Sequence, residues 1–330
     1  MLHMRRPVAL LVPTLLLAST ALAACGDEST EDTAAGFDAV TVSGGVGEPP
    51  EVEWSADLEE SESETEVVVE GEGEALDKGD QVLVNLAVSD DFTEGLSYDT
   101  FGEDQAGFQM EVGAGPPEPA QAIDLLKALI AEEVQPGVTL GTRIAVTVHT
   151  KEEWGETALA LSELNIGNED GLVLVADLES TILPAPEGDA QPAPAWAPEI
   201  VETKGEPTGL DSAGLPKPDP KGKVVRKALV IEGEGAEVQK GDVIAVDYLG
   251  QVWGGEQPFD ESFSKDSPLV SGIGLGNLVK GWDNGLVGVP VGSRVILQIP
   301  PKLGYGEQGS GEDIKGDDIM YFVIDVLGTA

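Results

Sequence analysis

Five aromatic residues, Tyr248, Phe259, Trp282, Tyr305 and Phe322, carry most of the chemistry that this 330-residue sequence could support. Among them stand one carboxylate, Asp260, and two phenolic hydroxyls, with Leu278, Val279 and Ile314 adding aliphatic surface. A concave site made of such residues suits an uncharged ligand better than an ion, and its few polar groups fix orientation. Acid–base and nucleophilic chemistry lack their usual residues here. The only histidines are His3 and His149, the only cysteine is Cys25, and no Gly-x-Ser-x-Gly elbow occurs. That excludes a serine or cysteine hydrolase, thiol chemistry and a zinc site from the C-terminal region. Gly272-Ile273-Gly274-Leu275-Gly276 lacks both the third glycine and the βαβ setting of a dinucleotide loop, and reads as a turn entering a helix.

The elements that must hold these residues are legible from periodicity. Val279, Trp282 and Leu286 fall at i, i+3 and i+7, one face of a short helix. Ile244, Val246 and Tyr248 share one face of a strand, and Val295, Leu297 and Ile299 share one face of another that runs into Pro300-Pro301. A terminal strand covers Ile319 to Leu327. One face of such a sheet needs a cover, and the helix bearing Trp282 is the element available. The fold class is therefore α+β, a curved antiparallel sheet wrapped around a short helix.

The motifs along this region resemble those of FKBP-type peptidyl-prolyl cis/trans isomerases, from Val224 to Gly328. They are Val246-Asp247-Tyr248-Leu249-Gly250, Phe259-Asp260-Glu261-Ser262, Val279-Lys280-Gly281-Trp282, Val291-Gly292-Ser293-Arg294, Pro300-Pro301 through Gly304-Tyr305-Gly306, and Tyr321-Phe322-Val323-Ile324-Asp325. The resemblance implies that Trp282 floors the pocket, with Tyr248, Phe259, Val279, Ile314 and Phe322 around it and Leu278 beside the ligand. It implies a carbonyl-orienting role for the Tyr305 hydroxyl, and makes Asp260 the family's buried carboxylate, expected to fix Tyr248 or a neighbouring loop rather than to act as a base. It implies no cofactor and no metal; the expected partners are proline-containing client polypeptides and macrolide inhibitors. One departure stands out: Leu269 and Ser271 occupy a stretch where relatives often carry a pair of Phe, which opens one pocket wall.

The same text occurs twice. Val67-Val68-Val69-Glu70-Gly71-Glu72-Gly73, Lys78-Gly79-Asp80 and the strand Val82, Val84, Leu86 recur 162 residues later as Leu229 to Gly235, Lys240-Gly241-Asp242 and Ile244, Val246, Tyr248. This is an internal duplication. In the first copy Leu86 stands at the Tyr248 position, no Trp occurs from Ile123 to Val134, and Trp154 stands at the Tyr305 position. Tyr98-Asp99 is expected to retain the Phe259-Asp260 pairing. The expectation is two FKBP-like domains, the first with a degraded or absent site.

Charge and the N-terminus bound the rest. With 61 acidic against 18 basic residues the formal charge is −43, which excludes nucleic acid as a partner. Arg5-Arg6, the apolar run Val8 to Leu17 and Leu22-Ala23-Ala24-Cys25 form a secretory pattern that resembles the lipobox of bacterial lipoproteins. The expected organisation is a signal peptide over 1–24 and an acidic disordered tether over 25–65 from a lipidated Cys25. A degenerate FKBP-like domain over 66–183, a Pro-rich linker over 184–222 and an isomerase domain over 223–330 follow. The expected location is extracytoplasmic, lipid-anchored to the cell membrane, and the expected function is assisting the folding of secreted proteins. The alternative is a non-catalytic client-binding holdase at the cell surface.

Overall fold

Strands with apolar residues at every second position build two antiparallel sheets, each closed on one face by its own helix. The computed structural model describes residues 33–102, 105–265 and 267–330; the proposed signal peptide and Cys25 lie outside them. The chain begins with β1 (Thr33–Ala34), β2 (Val40–Ser43), β3 (Glu51–Trp54) and β4 (Asp57–Leu58). The first sheet contains β5 (Glu64–Val69), β6 (Gln81–Asp90), β7 (Leu96–Asp99), β8 (Phe108–Glu111), β9 (Thr142–His149) and β10 (Gly171–Ile182). Helix α1 (Ala122–Glu133) precedes β9, and α2 (Thr150–Trp154) follows it. Next come β11 (Gly188–Ala190), β12 (Glu199–Thr203) and β13 (Glu206–Asp211). The second sheet adds β14 (Arg226–Gly233), β15 (Val243–Val252), β16 (Asp260–Glu261), β17 (Leu269–Gly272), β18 (Arg294–Ile299) and β19 (Met320–Thr329), with α3 (Lys280–Leu286) before β18.

The two sheets have the same strand order. The first runs β5-β9-β10-β6-β7 with β8 also on β6, and the second runs β14-β18-β19-β15-β16 with β17 also on β15 and β11 added at the far edge. One apolar cluster joins Val82, Val84 and Leu86 to Leu126 and Ile130 of α1, and the other joins Ile244, Val246, Leu297 and Ile324 to Trp282 and Leu286 of α3. Leu83, Ile182, Val243, Ala245 and Leu327, from the faces turned away from the helices, form a buried cluster between the sheets.

Residues 33–65 are not a disordered tether, and 184–222 is not a bare linker. The hairpin β2–β3 pairs Val40 with Trp54 and Val42 with Val52, and lays those side chains with Phe37 over Ala145, Val173 and Val175 of the first sheet. The hairpin β12–β13 does the same for the second sheet, where Ile200 and Leu210 join Leu249, Ile296, Tyr321 and Val323. A sheet whose outer face carries this much apolar surface needs a second cover, and burial of that surface outweighs the mutual repulsion of exposed acidic residues.

Matching anchors hold each hairpin. Ser89 Oγ accepts a hydrogen bond from the Trp54 indole at 2.9 Å, and Gln251, 162 residues later, bonds both the amide and the carbonyl of Leu210 at 2.9 Å. The Arg143 guanidinium grips Asp177 through two bonds of 2.7 and 2.8 Å and reaches the Glu48 carbonyl at 2.6 Å. Arg294 grips Asp325 at 2.6 and 2.8 Å and reaches Glu202 at 2.6 Å. Gln251→Leu leaves the Leu210 amide and carbonyl unpaired at a buried position, so it should destabilise the hairpin by about 1–3 kcal/mol. Hydrogen exchange at the Leu210 amide should accelerate accordingly, and an unchanged rate would show that Gln251 is not the anchor.

Candidate active site

Strand β15 presents Ile244 and Val246 to the helix side, and Tyr248 extends the same row. Gly250 comes next on that face. A Cβ there would lie 2.6 Å from ring atoms of both Phe259 and Phe322, so glycine is what lets the two rings close over the strand. Helix α3 approaches β18 for the same reason. A Cβ on Gly281 would lie 2.4 Å from Ile299, and one on Gly285 would lie 2.8 Å from Leu297. This close approach seats Trp282 deep in the sheet's concave side, where it is 3% exposed.

The rings meet edge to face. Trp282 lies 5.3 Å from Tyr248 and 5.3 Å from Phe322, with interplanar angles of 79° and 87°, and Phe259 stands 5.6 Å from Phe322 at 84°. Such pairs add to the stabilisation from burial alone and hold one another's orientation. They bound a cavity of about 380 Å³, lined by Tyr248, Phe259, Asp260, Leu269, Asn277, Leu278, Val279, Trp282, Tyr305 and Phe322. Tyr305 remains 43% exposed.

The Tyr248 hydroxyl donates to Asp260 Oδ2 at 2.5 Å. Asp260 is not the buried carboxylate expected: its side chain is 51% exposed, and its Oδ1 accepts from the Glu261 amide at 2.9 Å and lies 3.6 Å from Lys265 Nζ. Burial first, and then the carboxylate of Asp260, push the Tyr248 hydroxyl well above the ordinary tyrosine range. It stays protonated and serves as a donor. The Tyr248 amide donates to Ser262 Oγ at 2.9 Å, and that hydroxyl donates to Asp247 Oδ1 at 2.8 Å, so backbone and side chain of Tyr248 are both held.

Of the residues expected at the site, Ile314 alone is not in the cavity lining. It is 8% exposed and packs in the apolar cluster with Trp282 and Phe322, its amide and carbonyl both bonded to Ser310. Leu269, expected to leave a wall open, forms part of the wall, whereas Ser271 does not. Asn277 is an addition, and only its position just before Leu278-Val279 could have flagged it. The first copy differs inside. Leu86, Leu126 and Ile130 are fully buried at 0% exposure, and Trp154 packs half-buried against the same cluster. Its Tyr98-Asp99 is also displaced by one residue from the expected pairing. Tyr98 lies opposite Val88 as Asp260 lies opposite Gly250, which puts Asp99 at the place of Glu261.

A family model described as FKBP-type peptidyl-prolyl cis-trans isomerase matches residues 234–327. FK506-binding protein 2 of Dictyostelium discoideum is 38% identical over 92 residues, which are 28% of this chain and 68% of that protein. Peptidyl-prolyl cis-trans isomerase FKBP15-2 of Arabidopsis thaliana is 43% identical over 91 residues, 28% of this chain and 55% of its own length. FK506-binding protein 1A of Aspergillus fumigatus is 34% identical over 105 residues, 32% of this chain and 93% of its own length. Every cavity-lining residue falls inside the span of the family match. Through this C-terminal region, the chain belongs to the FKBP-type peptidyl-prolyl cis-trans isomerases.

Proposed function

We propose that the cavity of the second sheet isomerises X-Pro peptide bonds and so assists the folding of exported polypeptides. The observation that carries this reading is an aromatic cavity of about 380 Å³ in which Trp282 is buried, the Tyr248 hydroxyl is committed to Asp260 and Tyr305 remains exposed. Rotation about an X-Pro amide is opposed by about 18–20 kcal/mol of resonance. The planar, charge-separated form is the better solvated one, so moving the amide out of water weakens that resonance and favours the twisted state. In this reading Tyr305 orients the carbonyl and Trp282 supports the proline ring. Asp260 holds Tyr248 in place. Phe259, Leu278, Val279 and Phe322 exclude water, while Ile314 acts from beneath by packing. No proton is transferred. Macrolide binding, printed in the names of two relatives as FK506 binding, would occupy the same cavity.

The first sheet shares the strand order of the second, which supports reading it as a second FKBP-like domain. Its buried Leu86, Leu126 and Ile130 support the absence of a prolyl site there. The Leu22-Ala23-Ala24-Cys25 motif supports export and a lipid anchor. Cys25→Ser should abolish incorporation of labelled palmitate and release the protein from membranes; retained labelling rules out Cys25 as the anchor.

The direct test is acceleration of cis–trans exchange in a short X-Pro peptide by the full chain. Catalysis should follow a flat pH profile from about pH 6 to about pH 9, because the second domain holds no histidine and Tyr248 does not ionise in that range. A folded chain without acceleration refutes the isomerase reading. A bell-shaped profile would refute the mechanism without proton transfer.

A further inference from the structure

Strand β15 carries two surfaces at once. Ile244, Val246 and Tyr248 face the aromatic cavity, while Val243 and Ala245 pack against the first domain in the buried cluster between the sheets. Asp247 continues this second row, by the alternation of a strand. Beside it the two domains leave a cleft of about 540 Å³, to which the first domain contributes the turn from Glu74 to Gln81 and the end of β10. Its apolar side includes Ile182, Leu183, Pro268 and Leu327.

The cleft and the aromatic cavity are neighbours. Pro268, just before β17, lines the first and Leu269, the first residue of β17, lines the second, so the two open on opposite faces of the same sheet edge. The charge of the cleft is one-sided. Among the described residues Glu74, Asp77, Asp80 and Asp247 line it against a single basic residue, Lys265, whose ammonium is held 3.6 Å from Asp260 of the neighbouring cavity. Asp80 and Asp247 accept hydrogen bonds from the Asp77 amide and the Ser262 hydroxyl. Glu74 and Asp77 are exposed, and among the described residues their carboxylates hold no hydrogen bond or ion pair.

Resting on the isomerase reading, we propose that this cleft is a second client subsite, receiving a basic flank of the polypeptide whose proline occupies the aromatic cavity. An extended chain alternates its side chains, so its aliphatic and lysine stems can lie on Ile182, Leu183 and Leu327 while the ammonium groups reach Glu74 and Asp77. The first domain then serves catalysis without a prolyl site of its own, as half of a groove that selects which prolines are presented. The preferred substrates are extended segments with lysine or arginine within a few residues of proline.

The test uses the full chain and fluorescently labelled ten-residue peptides with one central proline, flanked by either lysines or glutamates. At low salt the lysine-flanked peptide should bind about tenfold tighter by anisotropy, the equivalent of two exposed ion pairs, and the difference should shrink as salt is added. The double variant Glu74→Lys, Asp77→Lys should erase the preference while leaving isomerisation of a short uncharged Ala-Pro peptide at the wild-type rate. Equal affinities in the wild type, or a preference that survives the double variant, would overturn the proposal. A preference that depends on Glu74 and Asp77 in a chain that fails to isomerise the short peptide would keep the cleft and remove the isomerase reading.

Discussion

Trp282→Leu is expected to lower kcat/KM on a short X-Pro peptide by about thirtyfold, which corresponds to about 2 kcal/mol of lost transition-state stabilisation. The indole meets both Tyr248 and Phe322 at 5.3 Å, so it is at once a surface of the cavity and the support for two other walls. Leucine restores neither the flat face nor the edge-to-face contacts, and water enters where the proposed mechanism requires the amide to be desolvated. The loss should appear mainly in kcat, because in the proposed mechanism the desolvated twisted state is stabilised more than the planar ground state. Trp282 is also core, so a fall in stability of about 2–4 kcal/mol accompanies the substitution. Trp282→Phe keeps an aromatic ring at the position and should recover most of the stability and part of the rate. Activity unchanged in a folded Trp282→Leu chain would place the catalytic surface elsewhere. Lost isomerisation with aggregation suppression intact would favour the holdase alternative.

Tyr248, Phe259, Asp260, Val279, Trp282, Tyr305 and Phe322 of the cavity lining were readable from the sequence because each belongs to a short motif with its own local geometry, whereas Asn277 belongs to none. Gly250 and Gly281 show why the motifs carry glycine: each removes a Cβ that would strike the packing of a ring or of the helix. The parallel between the two sheets was readable because their text matches at a 162-residue spacing through the glycine-rich turns. The hairpin β2–β3 escaped for a physical reason. Val40 and Val42 alternate with polar residues over four positions only, as do Val52 and Trp54, too short a run to stand out within an acidic stretch. What makes them strands lies far along the chain. The apolar outer faces of β9 and β10, and the Arg143–Asp177 pair, supply the energy that the local sequence lacks. The architecture the two halves share is therefore larger than their matching text: each sheet with its helix inside and its hairpin outside.

That larger unit makes Arg143 a sharper target than any residue of the hairpins. Its side chain and that of Asp177 are both 0% exposed. Asp177 Oδ2 also accepts the Gly47 amide at 2.8 Å, while Arg143 reaches the carbonyl of Glu48 at 2.6 Å, so the pair clamps the β2–β3 turn from both sides. Arg143→Ala leaves a carboxylate buried without its counter-ion and should cost about 3–5 kcal/mol. The urea midpoint of the transition that reports on the first domain should fall, and hydrogen exchange in β2 and β3 should rise with it. Replacing both partners, Arg143→Met with Asp177→Leu, removes the stranded charge. If the pair served only the sheet, this double variant should recover nearly all the stability. Because it also clamps the turn, β2–β3 should stay fast-exchanging although the sheet itself recovers. Slow exchange in the hairpin of the double variant would show that apolar packing of Val40, Val42 and Trp54 alone holds the outer cover.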